Sequence, residues 1–190
     1  EKTQAFNEWQ SMMLAQAREQ FIPHKGTFEL TPFCSMKCKM CYMRLDPDQA
    51  KKQGRLLTAE EWIRLGRMAF DAGTVDLLLT GGEPLLRPDF AEIYTALSDM
   101  GFLLRLFTNA TMFTEETFSL LRERPPQSVE ITLYGASAET YEKVGGWGGG
   151  YERAISAVDT LREFLPSLKL KGTLIRESAG DYDAMKKFAA

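Results

Sequence analysis

Thr31-Pro32-Phe33-Cys34-Ser35-Met36-Lys37-Cys38-Lys39-Met40-Cys41-Tyr42 holds the only three cysteines of this 190-residue chain, spaced C-x3-C-x2-C directly after an apolar, strand-like run. Three thiolates crowded on one loop suit soft metals, and cysteine is the usual ligand of iron–sulfur clusters. A [4Fe–4S] cube held by only three cysteines keeps one iron free of protein ligands, where a small molecule can bind and react. Structural zinc is the rival, because it accepts Cys3His and His24 is the only histidine, ten residues before Cys34. A disulfide would leave one cysteine over, and the chain lacks the cysteine density of a secreted scaffold. On the cysteines alone the iron–sulfur reading leads, with zinc and inert buried thiols open behind it.

A second motif, whose paired glycines begin forty residues after Cys41, is Val75-Asp76-Leu77-Leu78-Leu79-Thr80-Gly81-Gly82-Glu83-Pro84-Leu85-Leu86. An apolar run of strand length ends in paired glycines, which let the backbone turn and approach a ligand closely. Amide and carbonyl groups exposed there suit a zwitterion such as an amino-acid head group. Taken alone, the segment reads equally as a βα turn.

With both motifs in register, the chain resembles the radical S-adenosylmethionine (radical SAM) enzymes. The resemblance rests on Cys34 to Cys41 and on Gly81-Gly82-Glu83-Pro84. Leu106-Phe107-Thr108-Asn109 and Val129-Glu130-Ile131-Thr132-Leu133-Tyr134-Gly135 support it, and it covers residues 26–190. It implies that Cys34, Cys38 and Cys41 hold a [4Fe–4S] cluster whose open iron is chelated by the amino and carboxylate groups of SAM. Gly81, Gly82, Glu83 and Pro84 are then the segment that contacts that amino group. Reductive cleavage would yield a 5′-deoxyadenosyl radical that takes hydrogen from the substrate. An external donor of the flavodoxin or ferredoxin type would reduce the cluster.

The resemblance also implies that Met40 packs on the adenine, with Tyr42 in support. Asn109 would reach ribose or substrate, or else only form the turn in Thr-Asn-Ala-Thr. Thr132 stands where relatives have a serine that touches the ribose or the SAM carboxylate. Glu83 either accepts from the SAM ammonium or caps the helix that follows. Cys41-Tyr42-Met43-Arg44 and Thr80 to Phe90 look most like the branch that crosslinks, thioether-bridges or epimerises ribosomally made peptides and proteins. The same core serves molybdopterin- and haem-related enzymes. A non-catalytic, peptide-docking barrel is the reading from another class.

Two departures from the family pattern stand out. Tyr134 occupies the place of a common acid, and no arginine for the SAM carboxylate occurs in Tyr141 to Gly150, leaving Lys143, Arg153 and Arg176 as candidates. The glycines around Trp147 read as a long turn, with a mobile gating loop as the alternative.

Strands expected at 27–32, 76–80, 102–107, 128–133 and 168–175 alternate with helices expected at 59–72, 89–100, from Thr114 to 123, at 151–165 and from 181. Thr58 and Glu61 form a capping box for the first of these. This alternation predicts an α/β fold with a parallel sheet. Five βα units fit an incomplete TIM-like barrel without its sixth strand, and every motif follows a strand C-terminus, where barrel active sites gather. Residues 1–25 read as a lead-in whose helix at 3–20 turns Phe6, Trp9, Met12, Met13 and Ala17 toward the core. Residues 26–190 read as the core domain of a longer protein.

Hydrophobic residues make up 44% of the chain and charged residues 26%, as in a globular domain, and the net charge is −3. That balance gives no pull toward nucleic acid or anionic membrane. No apolar span or signal segment is present, which predicts a cytoplasmic protein with reduced thiols.

Overall fold

In a computed structural model the chain is described over residues 2–43, 45–52 and 54–189, with the side chains of residues 2–10 and 47 outside that description. The elements are α1 (Lys2–Glu19), β1 (Lys25–Glu29), α2 (Pro47–Lys52), α3 (Ala59–Asp71), β2 (Asp76–Thr80), α4 (Phe90–Asp99) and β3 (Leu103–Thr108). They continue with α5 (Glu115–Glu123), β4 (Ser128–Leu133), α6 (Ala138–Gly145), α7 (Gly150–Arg162), β5 (Leu168–Gly172) and α8 (Tyr182–Ala189). The strands form one open, parallel, five-stranded sheet in the order β1-β2-β3-β4-β5. Neighbours in sequence that are neighbours in the sheet, joined by helical crossovers, make the wall of a partial TIM-like barrel. No sixth strand occurs among the described residues.

Side-chain alternation gives the sheet two unlike faces. Leu77, Leu79, Leu104, Leu106, Val129, Ile131 and Leu133 point to the helical layer and are buried. They meet Phe90, Ile93, Tyr94 and Leu97 of α4, at helical spacing, and Ala154, Ala157, Val158 and Leu161 of α7. The opposite face is mostly polar, with Leu78, Leu103 and Phe107 as its apolar members. Asp76, Arg105, Ser128, Glu130, Thr132, Lys169 and Lys171 share it by register. Arg105 Nε donates to Asp76 Oδ1 at 2.6 Å, Lys25 stands 3.9 Å from Asp76, and Glu130 pairs with Lys171 and, at 3.7 Å, with Lys169. Fully parallel sheets are normally covered on both sides by apolar layers. A wall covered on one side and charged on the other is the inner surface of a barrel.

Helix starts follow local chemistry. Thr58 and Glu61 form the expected capping box on α3, Thr114 caps α5, and Ser137 caps α6. Four expectations need correction. Strand β1 begins at Lys25, two residues before the predicted start, and β5 ends at Gly172 instead of 175. Helices α2 and α6 were not foreseen. Among the described side chains of α1, Ala17 is buried as expected, while Met12 is 71% exposed and Met13 is also exposed. Met12 and Met13 thus do not join the expected core stripe, and Phe6 and Trp9 lie outside the described side chains. No helix is long and apolar enough to cross a membrane among the described residues.

Candidate active site

The cysteine loop leaves the C-terminal end of β1 and crosses the sheet, fastened at both ends by its backbone. At the near end, Gly82 N donates to Thr31 O at 2.6 Å and Glu83 N to Phe33 O at 2.8 Å. A Cβ at Gly81 would sit 2.5 Å from Thr31 O, and one at Gly82 would overlap the Phe33 carbonyl. The paired glycines thus let the two loops touch, with Gly81 at φ 141°. The Gly82 amide, one of those expected to face a ligand, is thus engaged by the cysteine loop itself. At the far end, Lys37 N donates to Gly145 O at 2.6 Å and Lys39 N to Val144 O at 3.0 Å, the last carbonyls of α6. Met36, fully buried, fills the space against Gly145 and Gly150.

Beneath the loop lies a polar network rooted in the β3 terminus. Glu83 is fully buried and accepts from Thr108 Oγ1 (2.7 Å), Asn109 N (2.8 Å) and Leu85 N (3.1 Å). Burial pushes its carboxyl up to about 7 against these three bonds. Asn109 Oδ1 accepts from Thr111 N and Thr111 Oγ1 at 2.9 and 2.7 Å, which fixes the amide orientation. Its Nδ2 therefore faces Ser35 Oγ at 3.1 Å and Cys34 Sγ at 3.4 Å. Cys34 Sγ also accepts from Met36 N, while burial raises the thiol to about 11. Tyr134, 9% exposed at the end of β4, hydrogen-bonds its hydroxyl to Cys38, and burial, with the neighbouring Cys38, pushes the phenol pKa above its ordinary value.

This donor set discriminates between metals. Zinc needs four ligands about 2.3 Å or less from one point. No group of three Cys, His, Asp or Glu side chains converges that way among the described residues. His24 precedes β1 and the cysteines follow it, so the five-residue strand places them at opposite ends, about 16 Å apart. The Cys3His reading is overturned. Three cysteines on one loop, none in a disulfide, with N–H and O–H donors aimed at two of the sulfurs, are a donor set suited to an iron–sulfur cluster.

Residues 28–189 match the Radical SAM superfamily. The chain belongs to the radical SAM superfamily. Relatives include the PqqA peptide cyclase of Rhizobium meliloti, 31% identical over 85% of this chain and 42% of that protein. The AdoMet-dependent heme synthase of Methanosarcina barkeri is 34% identical over 74% of this chain and 40% of its own length. Among solved structures, Streptococcus suis SuiB bound to precursor peptide SuiA superposes with TM-score 0.75 at 19% identity, covering 92% of this chain and 39% of that one. The chain thus spans about two fifths of the length of the relatives it matches.

In this radical SAM chain the remaining expected site residues divide. Met40 is half-buried against the core, beside the cysteines. Pro84 opens a short 3-10 turn, Pro84–Leu86, that Glu83 caps, so the capping role of Glu83 is the one its side chain performs. Thr132 lies on the open polar face in register with Lys171. Tyr42 is 91% exposed and lines a separate cleft of about 360 Å³ with Thr31, Pro32 and Arg55. Of the three candidate cations, Lys143 pairs with Glu139 on the outside of α6, and Arg176 is exposed. Arg153 lies over the Trp147 ring at 5.4 Å and reaches the Thr111 carbonyl. The glycine cluster is a tight turn, as preferred: Gly146 ends α6 in the left-handed region at φ 67° and Gly150 starts α7. Sequence reasoning missed Ser35, Thr111 and the clamp by Val144 and Gly145. It also missed Glu177, which holds Lys39 at 2.6 Å, and Asp181, which accepts from Ala136 N at 2.7 Å. Only the glycine density around Trp147 signalled a close approach.

Proposed function

We propose that this chain is the SAM-cleaving core of a radical SAM enzyme that modifies a ribosomally made peptide or protein by crosslinking, thioether formation or epimerisation. The observation that carries the reading is the cysteine loop. It is stitched by backbone bonds to the glycine turn and to α6, and it presents three cysteines, none in a disulfide, above the barrel wall. Cys34, Cys38 and Cys41 would hold a [4Fe–4S] cluster. When bound, that cluster supplies the electron that cleaves SAM to a 5′-deoxyadenosyl radical, the hydrogen-abstracting species of this superfamily.

The chain's own residues orient and shield. Backbone bonds from Gly82, Glu83, Lys37 and Lys39 fix the loop before any metal arrives, so little ordering remains to be done on loading. The carbonyls of the Gly81-Gly82 turn, Met40 and Thr132 line the route along which SAM would lie. Buried Met36 and the aromatic trio Tyr134, Tyr141 and Tyr151 exclude water from the helical side of the loop. The electron comes from a reduced flavodoxin or ferredoxin meeting the exposed Cys41 side in the cytoplasm.

A peptide substrate is favoured by the peptide cyclase relative and by the sporulation killing factor maturation protein SkfB of Bacillus subtilis, 26% identical over 81% of this chain and 36% of that protein. The haem synthase relative favours a second reading, action on a haem precursor. The test is anaerobic reconstitution with iron and sulfide, EPR after reduction with and without SAM, and mass spectrometry of products. A [4Fe–4S]+ signal altered by SAM, with 5′-deoxyadenosine formed, is expected. Loss of hydrogen or solvent-deuterium uptake in a candidate precursor peptide selects the peptide reading. SAM cleavage without a cluster, or a cluster silent to SAM, defeats the proposal and leaves the docking-module alternative.

A further inference from the structure

Two side chains at the strand ends do something that neither turn formation nor SAM binding requires: they hydrogen-bond to cysteine sulfur. Asn109 Nδ2 lies 3.4 Å from Cys34 Sγ, and its orientation is set by the two Thr111 donors on Oδ1 and by Asn109 N on Glu83. The Tyr134 hydroxyl meets Cys38, and its ring is locked edge-on against Tyr141 at 5.5 Å. Tyr141 in turn belongs to α6, the helix whose last carbonyls hold Lys37 and Lys39. Ring, helix and loop therefore move as one unit.

A buried hydroxyl without a good partner is costly, and a neutral thiol is a weak acceptor. A thiolate bound to a cluster is a strong one, because hydrogen bonds to charged groups are about twice as strong as neutral ones. The arrangement is matched to a sulfur that carries negative charge. Adding an electron to the cluster increases that charge, so each donor stabilises the reduced form more than the oxidised form.

We infer that Tyr134 and Asn109 are positioning residues that raise the reduction potential of a cluster held by Cys34, Cys38 and Cys41, through hydrogen bonds to Cys38 and Cys34. The inference rests on the radical SAM reading and adds to it a role for the tyrosine that follows β4. An acid there would put negative charge beside Cys38 and oppose reduction. The neutral phenol donates a proton bond instead.

The test is an EPR-monitored redox titration of the reconstituted full chain, without SAM, at matched iron and sulfide content. Tyr134→Phe keeps the ring and removes only the donor. Its ratio of reduced to oxidised cluster, at the wild-type midpoint, is expected to fall about tenfold, equivalent to a shift of 59 mV for one electron. Replacing Tyr134 by 3,5-difluorotyrosine preserves the packing and strengthens the donor, and it shifts the midpoint the opposite way. Thr160→Ala, at a surface position of α7, leaves the midpoint where it is. Equal midpoints in wild type, Tyr134→Phe and the fluorinated protein overturn the inference while the radical SAM reading stands. A wild-type chain that takes up no cluster overturns both. If Tyr134→Phe fails to fold, the fluorinated protein alone decides the matter.

Discussion

Glu83 is the residue on which the site turns. Its carboxyl ties the glycine turn to Thr108 and Asn109 at the end of β3, and burial raises it from an ordinary carboxylic value of 4.5 to about 7. A folded-state value above the unfolded one means that the stabilising contribution is complete below pH 4.5 and is lost as pH rises through about 7. A shift of this size is worth about 3 kcal/mol over that window. Urea unfolding of the metal-free protein at pH 5 and pH 8 should show this loss, and Glu83→Gln should abolish it. A wild-type slope that persists in the variant would remove Glu83 from the account. Gly82 gives a sharper prediction, because its neighbour is a backbone carbonyl that cannot step aside. Gly82→Ala should destabilise the fold by about 2–4 kcal/mol and lower cluster uptake.

At the level of elements, the clamp of α6 on the cysteine loop is the feature the sequence hid. Ala138 to Gly145 is a short helix that ends in glycines, so its propensity is weak and its pattern resembles a turn. What holds it is tertiary: two loop amides on its last carbonyls and Met36 packed on Gly145. Gly145→Ala should cost about 1–3 kcal/mol by overpacking, and Met36→Ala in the same chain should recover part of it. Additive costs in that double-mutant cycle would show that the contact carries no coupling. Strands β2 and β4, by contrast, were readable to the residue, since β2 is an apolar run and β4 alternates polar Ser128, Glu130 and Thr132 with apolar Val129, Ile131 and Leu133. Edge strands β1 and β5 were misjudged at their ends, because their alternation of Lys, Gly, Thr and Glu, or of Leu and Lys, does not mark where pairing stops. The Thr58 cap bonds to Glu61 at the start of its own helix. Thr58→Ala should cost about 1 kcal/mol in thermal or urea unfolding and leave cluster content unchanged.

For the whole molecule, the cysteine triplet, the glycine turn and the order of strands were legible, because those features are local in sequence. The network joining Ser35, Asn109, Thr111 and Glu83 was not, since it brings together residues as many as 76 positions apart. Because backbone bonds and Met36 hold the loop, the sheet does not depend on metal. Changing Cys34, Cys38 or Cys41 to alanine should leave the far-UV circular dichroism intact while abolishing SAM cleavage. Unfolding on removal of iron would contradict this.

The three thiols also differ in their access to solvent, with Cys34 and Cys38 half-buried and Cys41 exposed. With its thiol pushed up to about 11, Cys34 is about a thousandth ionised at pH 8. Iodoacetamide should therefore label Cys41 first and Cys34 last, as read by peptide mass spectrometry. The gradient of burial along eight residues is thereby a clock. Incoming iron would meet Cys41 before its neighbours, maturation would close inward toward Cys34, and oxidants arriving by the same door would reach the assembled centre at its first-formed bond.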